Sequence, residues 1–250
     1  MKISVVTSFF NGDLMIPYFM SHYSYADEII VLFNDHGKPL NVTTRKLISS
    51  YPNVRIESFA YPQKKTDYAF AVDVVNQTVA KLDSDWAIVA SADELVFPVG
   101  MQDMREALRD ADGEFIKVHL WWILRHRTDP DLDPTLPAIW QRRHGNPVRE
   151  GAGCIKPLII RPGRNIKFAV GGHGCYIAPG VYPTPSSIRF DGAHWLHADP
   201  TIAVQRRLRG RRENVSQRSL KDGMGVHMFN ITESEELELC SQFLDAPQVF

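Results

Sequence analysis

Short apolar runs alternate with longer helical patterns in the first half of the chain, and this alternation limits the possible folds more than any other feature. The strand-like runs are Ile3–Thr7, Ile29–Phe33, Val54–Ser58 and Trp86–Ala90. Between them, Leu14–Tyr25 and Asp67–Leu82 have the spacing of helices. Strands separated by helices need right-handed crossovers, which give a parallel sheet covered on both faces. The sequence therefore predicts an α/β fold with an open, mostly parallel, Rossmann-like twisted sheet over residues 1–120.

The pattern changes beyond residue 120. Residues 121–153 are rich in Arg, Pro, Asp and Trp without a clear period, which predicts a long functional loop. Lys156–Arg161 then predicts a strand, and Asp199 followed by Pro200 predicts a helix start. Thr232–Glu235 has the form of a capping box for a last helix. Because no repeat or linker is visible, we expect a single domain over residues 1–250, with a smaller C-terminal subregion.

The overall composition excludes several classes of protein. Of 250 residues, 44% are hydrophobic and 23% are charged, which is enough for one substantial core. The formal net charge of -1 gives no general attraction to nucleic acid, and no apolar stretch approaches the roughly 20 residues of a membrane-spanning helix. Cys154, Cys175 and Cys240 form no C-x-x-C pair, which favours a reducing compartment, so we predict a cytoplasmic protein.

Polar residues follow the predicted strands where ligands bind in such sheets, at the carboxyl ends. The three segments are Ser8–Asp13, Asn34–His36 and Ser91–Glu94. Asp35 is placed to bond a sugar hydroxyl of a nucleotide, as acids at strand ends do. Asp93 and Glu94 are hard oxygen ligands that suit Mg²⁺ or Mn²⁺ on phosphates. Taken alone, the two acids are equally typical of an ordinary solvated turn.

Several segments in order carry a family resemblance. They are Ser4–Asn11, Pro17–His22, Tyr25–Leu32, Ser84–Glu94, Lys156–Pro162, His173–Gly174 and His194–Trp195. Together they resemble the family-2-like glycosyltransferases of the GT-A fold, in which the fourth segment usually ends in Asp-x-Asp-Glu-Phe. The resemblance implies a GT-A-like fold with a nucleotide-sugar-binding half, residues 1–120, and an acceptor-side half, residues 121–250.

The same resemblance implies a hexosyltransferase-type activity of polysaccharide or glycolipid biosynthesis. A nucleotide-sugar donor would carry Mn²⁺ or Mg²⁺ on its diphosphate, and the sugar would pass with inversion to a hydroxyl of a carbohydrate or glycolipid acceptor. Asp35 would then lie near the nucleoside, Asp93 would hold the metal, and His194 would complete the metal site. The donor-binding set implied in full is Ser8, Asn11, Asp35, Ser91, Asp93 and Arg161.

Two residues depart from the family pattern. Ser91 stands where the first Asp of Asp-x-Asp is usual, and Gly12 stands where an acid often follows the N-terminal Asn. A serine hydroxyl forms hydrogen bonds but supplies no negative charge. We therefore expect weaker or differently organised metal binding, and a relative that binds nucleotide or glycan without turnover is an alternative reading.

An inverting transferase also needs a carboxylate that takes the proton of the acceptor. The candidates are Glu150, Asp129, Asp131 and Asp191, and we take Glu150 and Asp191 as the catalytic pair to test. Glu150 is favoured because the surrounding segment, Arg149–Gly153, combines an acid with flexible glycines that permit a close backbone approach.

The histidines and arginines offer two further readings. One is a zinc-dependent hydrolase, with ligands drawn from His173, His194, His197, Cys154, Cys175 and Asp199, although the sequence has no H-E-x-x-H motif. The dense run Arg206–Arg212 is typical of a solvated helix face, but also of a diphosphate clamp, an anionic acceptor site or a contact with acidic lipid. Peripheral contact with the inner face of a membrane is therefore an open alternative, whereas nucleic acid is not expected as a partner.

Overall fold

A computed structural model gives the fold of this chain. It describes residues 1–9, 14–34, 40–61, 65–100, 103–147, 155–205, 208, 215–224, 229, 231–241 and 244–249. The strands are β1 (Ile3–Phe9), β2 (Glu28–Asn34), β3 (Val54–Phe59), β4 (Trp86–Val89), β5 (Glu94–Pro98), β6 (Phe115–Leu124), β7 (His144–Pro147), β8 (Ile155–Ile160), β9 (Lys167–Phe168), β10 (Cys175–Tyr176) and β11 (Pro185–His194). The α-helices are α1 (Ile16–His22), α2 (Val42–Ser49), α3 (Tyr68–Val79), α4 (Met104–Asp110), α5 (Ala138–Gln141), α6 (Pro200–Ala203), α7 (Gln217–Lys221) and α8 (Glu233–Ser241).

One large open sheet organises the fold. Within the described residues it has nine strands in the order β3-β2-β1-β4-β8-β6-β11-β5, with β7 paired to β6. The strands β1, β2, β3, β4, β6 and β11 run in one direction, and β5, β7 and β8 run in the other. The predicted open, mostly parallel α/β sheet is confirmed. Strands from the two halves of the chain alternate within it, since β8 lies between β4 and β6, and β11 lies between β6 and β5.

Alternate residues of the central strands contribute side chains to two separate hydrophobic cores, one on each face of the sheet. Ile3 and Val5 of β1 pack with α1 in the larger core, whereas Val6 packs with residues of α3 in the smaller one. This follows from the two-residue period of a strand, which sends successive side chains to opposite faces. The prediction of helices on both faces is thus confirmed. None of the helices in the described ranges is long and apolar enough to cross a membrane.

The predicted helix starts are present with their caps. Asp67 accepts a hydrogen bond from the Phe70 N–H at the start of α3, and Asp199 accepts one from the Thr201 N–H at the start of α6. At α8, the Thr232 N–H donates to Glu235 Oε2 while the Glu235 N–H donates to Thr232 Oγ1. These side chains satisfy backbone donors that have no partner within the helix. The Arg206–Arg212 run lies, apart from Leu208, outside the described residues.

The segment 121–153 is not the uninterrupted loop that its composition predicts. Residues 121–124 complete β6, and the chain returns through α5 to β7, which pairs with the end of β6. The prediction failed because residues 121–124 are an apolar continuation of β6, whereas the Arg, Asp and Pro residues that follow them dominate the composition of the segment.

Helix α1 is joined to the start of β5 by two side chains. The Tyr23 hydroxyl donates to Glu94 O and accepts from the Val96 N–H, both at 2.9 Å. His22 Nε2 lies 2.9 Å from Val96 O and donates to it. Burial lowers the pKa of His22 to about 4, an effect that the bond to Val96 only partly opposes. Because β5 begins at Glu94, these bonds fix the position of the acidic turn, residues 91–94, which leads from β4 into β5.

We predict that protonation of His22 weakens the fold in acid. The unfolded chain takes up this proton near pH 6.5, whereas the folded chain takes it up only near the lowered pKa of about 4. The unfolding free energy should therefore fall as the pH drops from 6.5 towards 4. His22→Asn keeps a donor for Val96 but removes the titration, so urea unfolding across this pH range should show a shallower slope for the variant. Equal slopes would contradict the prediction.

Candidate active site

The acidic turn between β4 and β5 is closed by two hydrogen bonds between Ser91, its first residue, and Glu94, its last. The Glu94 N–H donates to Ser91 O at 2.8 Å, and the Ser91 N–H donates to Glu94 Oε2 at 2.8 Å. The turn follows the carboxyl end of β4, where the sequence predicted a ligand site. One carboxylate of the Asp93–Glu94 pair is therefore used in holding the turn together.

The second oxygen of Glu94 forms a buried ion pair. Lys156 Nζ of β8 lies 2.7 Å from Glu94 Oε1, and the Glu94 side chain is only 3% exposed. Burial by itself raises the pKa of the Glu94 carboxyl, but the combined attraction of Lys156 and His194 outweighs it, and the pKa lies below its ordinary value. Glu94 is thus an anion at neutral pH whose two oxygens are both engaged.

Asp93 faces His194 across the turn. In the register of β11 against β5, His194 lies directly opposite Glu94, and the Trp195 N–H donates to Asp93 O at 2.7 Å. His194 Nε2 lies 3.3 Å from Asp93 Oδ2. The Asp93 side chain is 1% exposed and that of His194 is 20% exposed. The pair therefore combines a buried carboxylate with an imidazole that reaches towards solvent.

The chemistry of this pair fits a divalent cation. Two ligands at right angles on an ion with bonds near 2.1 Å lie about 3 Å apart, close to the 3.3 Å between His194 Nε2 and Asp93 Oδ2. One carboxylate oxygen and one imidazole nitrogen suit Mn²⁺ better than Mg²⁺. Glu94 is not available as a third ligand because Lys156 and the Ser91 N–H occupy its oxygens.

The other predicted donor residues lie partly at this edge. Ser8 is exposed near the end of β1, and Ser91 is half-buried in the acidic turn. The pairing of β1 with β4 brings the two serines close together. Val6 of β1 pairs with Val89 of β4, and Ser8 and Ser91 each follow two residues later. The predicted residues Asn11, Asp35 and Glu150 lie outside the described residues.

Arg161 and Asp191 are not brought to the Asp93–His194 pair, which corrects two predicted sites. Arg161 stacks 3.9 Å above the Trp86 ring and donates to Gly113 O and Ala111 O, at the end of the sheet where β4 and β6 begin. Asp191 lies three residues before His194 in a continuous strand, so its side chain leaves the opposite face of the sheet. Neither displacement is readable from the sequence, because each depends on how distant strands pair.

The zinc site built on the predicted histidines and cysteines does not assemble among the described residues. His194 faces Asp93, whereas His197 Nδ1 lies 3.1 Å from Glu236 Oε1 of α8. Cys175 is buried in the small β9–β10 sheet, and burial raises the pKa of its thiol to about 11. Asp199 caps α6, and Cys154 lies outside the described residues. His173 is exposed, and among the described residues no three members of this set have potential ligand atoms within 4.8 Å of one another.

Lys156 contacts the acidic turn, although the sequence pattern predicted no role for it. It lies inside the family-like segment Lys156–Pro162, and the signal was a single lysine at the start of an otherwise apolar strand. A charged residue in such a place is rarely buried without a partner. What the sequence did not contain was the identity of that partner, 62 residues earlier in the chain.

Comparison with known proteins finds distant similarity of structure. A scan against protein-family models gives no match, and a search of curated proteins gives none. S. aureus TarS 1-349 in complex with UDP is 10% identical over 98% of this chain and 71% of that chain, with a TM-score of 0.44. HddC from Yersinia pseudotuberculosis is 10% identical over 82% and 97%, with a TM-score of 0.39.

A third solved structure is glucosyl-3-phosphoglycerate synthase from Mycobacterium tuberculosis in complex with Mn²⁺, UDP and phosphoglyceric acid. It is 15% identical over 48% of this chain and 43% of that chain, with a TM-score of 0.30. At these scores and identities the similarities assign no activity to this chain.

We predict that Lys156 is needed for stability because of the carboxylate it neutralises. Lys156→Met should leave the Glu94 anion buried without its partner. Urea unfolding at pH 7 should then give an unfolding free energy that is lower by about 3–5 kcal/mol. The double variant Glu94→Gln/Lys156→Met should recover part of that loss. Since the pKa of folded Glu94 is lowered, the wild-type contribution should be complete above the ordinary carboxyl pKa and lost as the pH falls through the folded value.

The matched control is Lys167→Met, which removes an exposed lysine from β9. It should change the unfolding free energy by less than about 0.5 kcal/mol. If the double variant were no more stable than Lys156→Met alone, the buried pair would not be the cause.

Proposed function

We propose that this protein is a glycosyltransferase that moves a hexosyl group from a nucleotide-sugar donor to a hydroxyl of a carbohydrate or glycolipid acceptor, with inversion and with a divalent cation. The single observation that carries the proposal is the buried Asp93 facing His194 at 3.3 Å, at the carboxyl edge of an α/β sheet. Ligands of open α/β sheets bind at that edge. The order of family-like segments along the sequence supports the same reading.

The chemistry of this transfer asks the protein mainly to position charges. A diphosphate leaving group gains negative charge as the bond to the sugar breaks, and preorganised positive groups stabilise it. When bound, Mn²⁺ or Mg²⁺ would supply that charge. Asp93 and His194 are the residues that would hold it, and Ser91 and Ser8 are at hand to bond donor hydroxyls.

The Glu94–Lys156 pair has a positioning role in this proposal. Because the Glu94 carboxylate closes the turn and binds Lys156, the backbone of Asp93 is held in one arrangement. The Trp195 N–H bond to Asp93 O holds the end of β11 against the same turn. Two elements that are far apart in sequence thus present the carboxylate and the imidazole together.

The base that takes the acceptor proton is proposed to be Glu150. Of the four acids considered, Asp191 faces away from the pair, and Asp131 is 93% exposed and bonded to Arg125. Asp129 accepts a hydrogen bond from the His126 N–H and lies beside Arg142, and these contacts hold its side chain away from the Asp93–His194 pair. Glu150 follows β7, whose residue Asn146 pairs with Trp122, the residue of β6 that also pairs with His194.

A second candidate function is binding of a nucleotide or glycan without turnover. It is favoured by the small number of acids at the site, since Ser91 supplies no charge and Glu94 is already neutralised. The two candidates differ in whether nucleoside diphosphate is released from a nucleotide-sugar when an acceptor is present.

We predict that UDP or GDP stabilises the protein in a Mn²⁺-dependent way. At a ligand concentration 100-fold above Kd, the melting temperature should rise by about 5–10 °C. Asp93→Asn should abolish the Mn²⁺-dependent part of the shift, whereas Asp191→Asn, on the opposite face of the sheet, should retain it. A panel of nucleoside diphosphates without any shift would contradict the transferase proposal and leave only binding of a glycan for the second candidate.

We predict that Glu150→Gln separates binding from chemistry. If Glu150 takes the acceptor proton, its loss should reduce release of nucleoside diphosphate about 10²- to 10⁴-fold while leaving the thermal shift unchanged. Asp131→Asn is the matched control, and it should keep the wild-type rate. Full turnover by Glu150→Gln would exclude it as the base, and absence of turnover in the wild type with every acceptor tried would favour the binding-only relative.

A further inference from the structure

Two histidines and one aspartate form a cluster at the β6–β7 hairpin, apart from the Asp93–His194 pair. The residues are His126, Asp129 and His144, and one potential ligand atom of each lies within 4.8 Å of the other two. All three are half-buried, so an ion from solvent can reach them. The hairpin pairing of His144 with Leu124 fixes one side of the cluster.

The turn after β6 orients His126 and Asp129. The His126 N–H donates to Asp129 Oδ2 at 2.8 Å, and the Asp129 N–H donates back to His126 O at 3.0 Å. Thr128 contacts His126 Nδ1 through its hydroxyl oxygen at 2.8 Å and its N–H at 3.3 Å. For Nε2 to bind a metal, Nδ1 must carry the ring proton and donate it to the Thr128 hydroxyl oxygen, which is how metal-binding imidazoles are commonly oriented.

His144 contributes a nitrogen that has no hydrogen-bond partner in the described part of the chain. Its Nδ1 is buried and lies 3.7 Å from Asp129 Oδ1. That distance is too long for a hydrogen bond. It is close to the separation of about 3.4 Å between two ligands of a tetrahedral ion with bonds near 2.1 Å. The His126 and His144 rings are stacked, with centroids 4.1 Å apart, so one ring must turn out of the stack for both nitrogens to bind the same ion.

The charges around the cluster leave one oxygen of Asp129 open to a cation. Arg142 Nε lies 4.0 Å from Oδ2, and its guanidinium donates to Ala198 O and Gln141 O instead. Arg125 is bonded to Asp131. Oδ1 therefore faces His144 and not an arginine. The other compact group, His197, Glu236 and Cys240, is fully buried, so an ion from solvent reaches it less readily than it reaches the half-buried cluster.

We propose that His126, Asp129 and His144 bind a divalent transition-metal ion of the zinc class, with an open coordination position towards solvent. Two imidazoles and one carboxylate suit Zn²⁺ and Co²⁺, and three protein ligands leave a fourth position for water or an exchangeable anion. The site does not depend on the proposed transferase activity. It lies at the same edge of the sheet, since Trp122, two residues before Leu124, pairs with His194.

The test is Co²⁺ titration of chelator-treated, desalted protein, followed by visible ligand-field absorption and then displacement with Zn²⁺. It is done in the His194→Ala background, so that the Asp93–His194 pair does not contribute. One equivalent of Co²⁺ should bind. His126→Ala, His144→Ala and His144→Gln should each weaken binding at least about tenfold, and Thr128→Val should weaken it less, because it removes only a bond that orients His126.

His119→Ala is the matched control, since it removes a half-buried histidine of β6 that lies outside the cluster. It should leave the Co²⁺ affinity unchanged. The proposal would be overturned if the His194→Ala protein bound no Co²⁺, if His126→Ala and His144→Gln bound it as well as the parent, or if His197→Ala abolished binding while those two variants kept it.

Discussion

The buried ion pair between Glu94 and Lys156 is the interaction on which the arrangement of the candidate site depends. Glu94 begins β5, closes the turn after β4 and reaches Lys156 of β8, so three strands meet at one carboxylate. A buried carboxylate is tolerated only when its charge and lone pairs are engaged. That requirement holds Asp93, the neighbouring residue, in a fixed position beneath the edge of the sheet.

The same interaction explains why the site has few acids. Of the two adjacent carboxylates in the turn, Glu94 holds the turn together and Asp93 faces His194. Ser91 supplies no negative charge, and the side chain that β11 brings to Asp93 is the imidazole of His194. A neutral imidazole and one carboxylate bind a cation less strongly than two carboxylates bind it, so an ion held here would depend more on the phosphates of its ligand.

Strand β6 links this site to the second cluster. Its central position places β11 on one side and β7 on the other, so Trp122 lies between His194 and Asn146. Residues that follow β6 and begin β7 are consequently brought to the edge where Asp93 lies. Polar side chains concentrate there because strand ends leave the apolar layers and meet solvent.

Much of the fold could be predicted from local pattern, since strand and helix periods and helix caps depend on residues close together in the sequence. The sequence by itself determined the strands β1 to β4 and the helices between them, the caps at Asp67, Asp199 and Thr232, and the place of Asp93 directly after β4. Tertiary structure alone decided that Lys156 neutralises Glu94, that Arg161 belongs to the far end of the sheet, and that Asp191 faces away. The physical reason is that sheet order and register are set by contacts between distant segments. Asp93 and His194 are 101 residues apart, and a shift of one residue in β11 would turn His194 to the other face.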